Sequence, residues 1–251
     1  MPKVCDAVAA MEELAPVGLA EEWDNVGLLA GDSEREVSRI IVMLDLDEQG
    51  LSEALEVGAD MIVTHHPFIM TPLKSVTDKT ILKLIENKIS VCSMHTNLDT
   101  SPEGVNTVLA NTVGISDAED VVLDGFLTKG GNVDECSFGE FIQSVKLSLN
   151  ADAVRYIGNK SAKIRRVCVL GGSGADFIPQ VKNLGFDAFV TSDVKYHQAQ
   201  TAEKIGLCVI DAGHFETENP VIYKVARHLA ERLEGVDVIT SLRKKSYIKY
   251  E

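Results

Sequence analysis

Histidines and carboxylates gather at a few places along this chain where their chemistry suits a metal ion. The first place is Asp60-Met61-Ile62-Val63-Thr64-His65-His66-Pro67-Phe68. Met61, Ile62 and Val63 read as a short strand buried on both faces, and Pro67 stops it. Successive side chains on a straight strand point to opposite faces. Two adjacent histidines therefore serve one site only where the strand ends and the backbone turns. Neutral imidazole suits zinc, iron and manganese ions. The pair is either a metal anchor or two unrelated polar residues on a loop, and the dipeptide has no fixed ligand spacing to decide between them.

Three further segments carry the same residue types. His95-Thr96-Asn97-Leu98-Asp99 follows an apolar strand over 89–94. Thr191-Ser192-Asp193-Val194-Lys195-Tyr196-His197 follows Phe189-Val190, and Asp211-Ala212-Gly213-His214-Phe215-Glu216-Thr217-Glu218 follows Val209-Ile210. His214 and Glu218 are spaced i, i+4, which on a helix puts imidazole and carboxylate on one face. Glu218 near a helix start also suits the helix dipole, and the two roles are compatible. Of the six histidines, five lie at or just past expected strand ends. The sixth, His228, falls within an amphipathic helix as a surface or packing residue. Ligands of open α/β sheets bind at the carboxyl ends of strands, so this clustering favours one shared site.

The elements that must position these residues alternate between helix and strand. The expected order is a helix over 4–14, strands over 26–30 and 39–44, a helix over 47–57, and the strand into His65. A helix over 79–88 and a strand over 89–94 follow. Ser101-Pro102 reads as the start of a helix running to about Thr112, with a serine cap and proline in the first turn. Composition shifts near Gly125, so the chain is expected to divide into a first α/β lobe, 1–125, and a second, 126–251. The second holds helices over 138–149, 175–184, 195–205 and 219–234. Its expected strands are near 154–157, 166–170, 188–191, 207–210, 236–240 and 247–250. Strand–helix–strand units at this spacing imply parallel pairing and an α/β fold. Leu170-Gly171-Gly172-Ser173-Gly174 reads as a tight strand-to-helix turn, because it lacks the residues of a P-loop and the spacing of a dinucleotide fingerprint. Trp23 reads as a core or interface anchor.

Composition narrows the function classes. With 251 residues, 45% hydrophobic and 25% charged, the chain has ample material for a core. Its net charge of −14 disfavours nucleic acid and anionic membrane as partners. No apolar stretch reaches the roughly 18 residues of a membrane span. The N-terminus lacks a basic-then-apolar leader pattern. The five cysteines form no CxxC pair and are read as reduced, so a cytoplasmic location is expected.

Five motifs together resemble one family. Trp23-Asp24-Asn25-Val26-Gly27-Leu28, Thr64-His65-His66-Pro67, His95-Thr96-Asn97-Leu98-Asp99, Thr191 to His197 and Gly213 to Glu218 stand in the order seen in the NIF3-like family, also named GTP cyclohydrolase I type 2 homologs. The chain is similar to the short members without a large inserted domain. The resemblance implies two related α/β lobes with a dinuclear metal site in the cleft between them, and a ring-shaped homohexamer. It implies His65, His66, Asp99, His214 and Glu218 as metal ligands, with the glutamate bridging. His95, Asp193 and His197 match motif positions near the site. Ser192 stands where the family commonly has glycine, which bears on the local backbone.

Three histidines and two carboxylates exceed what one tetrahedral catalytic zinc needs and suit two divalent ions, whether zinc, manganese or iron. Two such ions about 3.5–4 Å apart lower the pKa of a shared water. The expected function is hydrolysis of a small polar substrate such as a nucleotide or phosphoester, with His197, His95 or Asp193 as general acid or base. His197 is favoured because it stands apart from the matched ligands. The competing class is a non-catalytic metal-binding scaffold, metal chaperone or regulatory partner protein.

Overall fold

The computed structural model describes residues 1–242 and 246–249. The chain forms two compact units, each with its own sheet. The first contains α1 (Val4–Leu14), β1 (Gly27–Ala30), β2 (Arg39–Met43), α2 (Glu48–Glu56), β3 (Met61–Thr64), α3 (Lys79–Glu86), β4 (Ser90–Ser93) and α4 (Thr96–Thr100). The second contains α5 (Val105–Thr112), β5 (Ser116–Leu123), β6 (Phe126–Ser137), α6 (Phe138–Ser148), β7 (Arg155–Ile157), β8 (Lys163–Val169), α7 (Ile178–Asn183), β9 (Ala188–Thr191), α8 (Tyr196–Ile205), β10 (Cys208–Asp211) and α9 (His214–Glu218). The chain then returns to the first unit with α10 (Val221–Arg232) and β11 (Asp237–Thr240).

The first sheet runs β1-β4-β3-β2-β11. Its last four strands are parallel, and β1 pairs antiparallel with β4. One face carries Ile41, Met43, Ile62 and Val91 against Leu51 and Ala54 of α2 and Leu84 of α3. The residues between them in sequence, Val42 and Val63, line a small gap with Met11 of α1 and Val221, Ile222 and Val225 of α10. Strands covered on both faces need apolar side chains at every position, which is why they read as unbroken runs rather than alternating ones. His228 packs α10 onto α1, its Nε2 lying 2.7 Å from the Ala10 carbonyl oxygen.

The second sheet runs β5-β6-β8-β9-β10-β7. Only β8, β9 and β10 are parallel neighbours. Val167, Val169, Ala188, Val190, Cys208 and Ile210 face α5 and α6, while Cys168, Leu170, Phe189 and Val209 face α7 and α8. This is the period-2 alternation of a strand with both faces buried. Burial pushes the Cys92 and Cys168 thiols up to about 12. All five cysteines are free thiols.

Several expected boundaries move. The first unit comprises 1–104 together with 221–242 of the described residues, so α10 and β11 return to it. Residues 116–137, expected to hold a domain boundary, form the β5–β6 hairpin instead. Asp124 and Gly125 both have positive φ, +49° and +91°, the backbone that a two-residue hairpin turn demands. The helix expected to start at Ser101 begins at Val105. Ser101 does not cap it, because its hydroxyl donates to the Leu14 carbonyl oxygen. The expected strand over 247–250 does not form at Tyr247, Ile248 or Lys249, and Tyr250 lies outside the described residues. Among the described residues, no helix is long and apolar enough to cross a membrane.

Candidate metal centre

In the first unit the histidines sit where β3 and β4 end side by side. The parallel register runs from Met61 opposite Ser90 to Thr64 opposite Ser93. Beyond Thr64 the amides of His65 and His66 still pair with the Met43 and Leu44 carbonyls. The Thr64 hydroxyl donates to the His66 carbonyl oxygen at 2.8 Å, which closes the turn. Adjacent histidines that would diverge on a straight strand thus come together, with ring centroids 4.9 Å apart. His95 precedes α4, and its ring lies 5.3 Å from that of His65 and 5.6 Å from that of His66. One nitrogen from each of the three rings falls within 4.8 Å of the others. Asp99, one helical turn after His95, brings Oδ1 to 3.6 Å from His65 Nε2.

Each ring is fixed from behind. His65 Nδ1 lies 2.9 Å from the Met94 carbonyl oxygen. His66 Nδ1 lies 2.7 Å from Asp45 Oδ1, and His95 Nδ1 lies 3.0 Å from Asp24 Oδ1. The Met94 carbonyl can only accept, so His65 Nδ1 carries the proton and Nε2 presents the lone pair, and a carboxylate oxygen against Nδ1 favours the same tautomer in His66 and His95. The Asp24 side chain is fully buried. Burial pushes its carboxyl up, but hydrogen bonds from the Thr96 hydroxyl, the His95 ring and the Thr96 amide outweigh this and hold it below the usual range. Asp24 therefore stays ionised behind His95.

In the second unit β9 and β10 end together, with Thr191 opposite Asp211. His214 opens α9 and Glu218 closes it. His214 Nε2 lies 3.1 Å from Glu218 Oε2, and its Nδ1 lies 2.7 Å from Asp193 Oδ2. Burial lowers the His214 pKa, but hydrogen bonds and charge from Glu218 and Asp193 overcome it and raise it to about 9. A pocket that favours a proton this strongly is built for positive charge. Imidazole with two carboxylates is a donor set that fits a divalent cation.

The glycine-rich turn serves this carboxylate rather than a phosphate. The amides of Gly171, Gly172 and Gly174 already donate to Asn106 Oδ1, Thr217 Oγ1 and Thr191 Oγ1. Gly172 has φ +64°, and a Cβ there would overlap Glu218 Oε1. Ser192, the departure from the family's glycine, is fully buried and donates its hydroxyl to the Gly172 carbonyl oxygen at 2.6 Å. The left-handed backbone falls one residue later, at Asp193 with φ +55°.

Within the units, then, His65, His66, His95 and Asp99 form one group, and Asp193, His214 and Glu218 form another. His197 sits exposed at the second position of α8. Sequence reasoning gave Asp45 no role and offered Asp24 only as a residue that could line a site. Asp45 follows the end of β2, the same strand-end position that marked the histidines. Asp24 was legible only as part of Trp23-Asp24-Asn25.

Residues 2–246 match the family model described as Duf34/NIF3 (NGG1p interacting factor 3). A Clostridium perfringens protein named GTP cyclohydrolase 1 type 2 homolog is 35% identical over 267 aligned residues, which cover 99% of each chain. A hypothetical protein of Staphylococcus aureus has a similar structure, with a TM-score of 0.90, 27% identity and coverage of 99% of each chain. A Bacillus cereus protein related to NIF3 shares the fold, with a TM-score of 0.91 at 24% identity over 100% of this chain and 99% of its own. With the family match running nearly end to end and the histidine–carboxylate motifs in place, the chain belongs to the DUF34/NIF3 family.

Proposed function

We propose that the two groups serve one dinuclear metal centre and that the protein is a metal-dependent hydrolase of a small polar substrate. The observation that carries this reading is the orientation of the histidines. His65, His66 and His214 each have Nδ1 against an oxygen, from Met94, Asp45 and Asp193 respectively. Metal-binding histidines are held this way, because the acceptor fixes both tautomer and ring direction. His65, His66 and Asp99 from one unit, with His214 and Glu218 from the other, would hold the ions. Bound there, a pair of divalent ions supplies Lewis acidity and a water of lowered pKa.

The chain's own residues do the rest. His95 takes and returns the proton of the attacking water through Nε2, and the ionised Asp24 steadies the imidazolium that forms. This role passes to His95 from His197, which has no comparable buried carboxylate behind it among the described residues. Asp193 positions His214. Trp23, with 62% of its surface exposed and its ring centroid 6.1 Å from that of His95, offers an indole face for a planar base. That favours a nucleotide over an aliphatic phosphoester. Membership of the family supports a homohexameric assembly of this centre.

Metal analysis, light scattering and a hydrolysis screen on nucleotides and phosphoesters test the reading, with wild type beside His65→Ala. About two ions per chain, lost together with turnover in the variant, are expected. Two ions retained without turnover on any substrate would instead assign a metal-binding scaffold. Unchanged metal content in His65→Ala would overturn the ligand assignment.

A further inference from the structure

Among the described residues, five other than glycine adopt positive φ, and four of them are Asp or Asn. Those two types tolerate the left-handed region because their short polar side chains bond locally. The fifth is Lys88, with φ +56°. Lys88 occupies the position just past α3 where a helix usually ends on glycine: its amide donates to the Ile85 carbonyl, and the Ile89 amide reaches back to Leu84. After α2 the same pair of bonds is closed by Gly58, and after α6 by Asn150. A lysine here carries a backbone cost that glycine would not.

Lys88 lines a cavity of about 490 Å³ in the first unit. Its apolar wall is Ala30, Leu84, Ile85 and Ile89, and its charged lining is Lys88 and Arg35 against Asp32. The volume falls in the range of small-molecule sites. The lining is net positive on a chain of net charge −14. Asp32 Oδ1 is already engaged, accepting the Glu34 amide at 3.0 Å. The Arg35 guanidinium is short of acceptors. Its Nη2 makes a long 3.4 Å pair with Asp60, and its Nη1 is buried without a hydrogen-bond partner among the described residues. The cavity flanks Ser90 at the amino end of β4, whereas His95 follows its carboxyl end.

We propose that this cavity is a second ligand site, separate from the metal-binding residues, that takes a small amphipathic carboxylate with its head between Lys88 and Arg35 and its chain along Leu84, Ile85 and Ile89. Charge complementarity selects a carboxylate over a neutral or cationic amphiphile, and the apolar wall selects a hydrocarbon chain over inorganic phosphate. The strained lysine is then retained for its ammonium group and not for the helix end it closes.

Calorimetric titration of the whole protein with octanoate, octylammonium and inorganic phosphate tests this. Octanoate alone is expected to bind. Lys88→Gly is expected to raise the thermal midpoint of the ligand-free protein, because it relieves the left-handed backbone, and to weaken octanoate binding about tenfold, the share of one charge-assisted hydrogen bond. Ile85→Ser, at a position with 59% of its surface exposed, should weaken binding without unfolding the chain. Equal binding of octanoate and octylammonium, binding of neither, or unchanged affinity in Lys88→Gly would overturn the proposal. A shift in oligomeric state with Ile85→Ser would also overturn it, by assigning the apolar wall to a contact between copies.

Discussion

Gly172 acts on the candidate metal centre through what it lacks. A Cβ at this position would occupy the place of the Glu218 carboxylate, and its φ of +64° disfavours any side chain. Gly172→Ala is therefore expected to displace Glu218 and weaken metal binding by about 10–100-fold, the range seen when a ligand's support is lost. Zinc titration checks this, and an unchanged affinity would remove Glu218 from the ligand set. Asp24 acts at the same scale but on the chemistry. Asp24→Asn keeps the shape and can still accept from His95 Nδ1, but it withdraws the charge and turns its amide nitrogen to the Thr96 amide that Asp24 Oδ2 accepts. Turnover of whichever substrate the wild type hydrolyses should fall about a hundredfold, with bound metal unchanged. Kinetics run beside metal analysis separate that outcome from loss of the site.

The strands that deliver these residues are tied at their amino ends. Asp60 precedes β3 and accepts from the Ser38 amide, the Ser38 hydroxyl and the Arg39 amide at 2.7–3.0 Å. In the second unit Asp187 precedes β9 and accepts from the Arg165 and Arg166 amides at 3.0 and 2.8 Å. One carboxylate thus locks the start of one strand to its parallel neighbour in each unit, and so sets the register that aligns their far ends. Burial raises the Asp60 pKa, but Ser38, the Arg39 amide and the Arg35 charge outweigh it and leave it lowered. A lowered folded-state pKa gives stability above the unfolded value of about 3.9, and that stability is lost as pH falls through the folded value. Asp60→Asn is expected to be less stable than wild type near neutral pH and to flatten the acid limb of the stability profile. Urea denaturation across the acid range measures both, and parallel profiles would show that the tie contributes nothing.

At the scale of the molecule, the proposed centre would need ligands from two units with separate cores. Ions that bind the folded state alone stabilise it by mass action. Chelation is therefore expected to lower the thermal midpoint by about 5–15 °C, given the usual response of a chain of this size to a few kcal/mol. Zinc, manganese or ferrous iron added back should restore it. A midpoint indifferent to chelator and to added metal would mean that the ligands do not act together.

The sequence determined the element types and most of their limits. Helix α1 and strand β9 run over the residues that apolar periodicity marked, and Asp47, Asp78 and Ser137 cap their helices. The short apolar strands ending in histidine or carboxylate also marked the candidate site residues. The β5–β6 hairpin was legible too, in the turn pair Asp124-Gly125. The repeated Gly-x-Asp before β3 and β9, at Gly58-Ala59-Asp60 and Gly185-Phe186-Asp187, was equally open to view. Tertiary structure alone decided the rest. Gly104 ends the first unit and α10 returns to it because packing, not local propensity, assigns a segment to a core. Asp24 and Asp45 became histidine partners because β1 and β2 lie in one sheet with β3 and β4, and no sequence spacing encodes which strands become neighbours. The cost of Lys88 became visible only with its φ, since a lysine at a helix end is otherwise an ordinary residue.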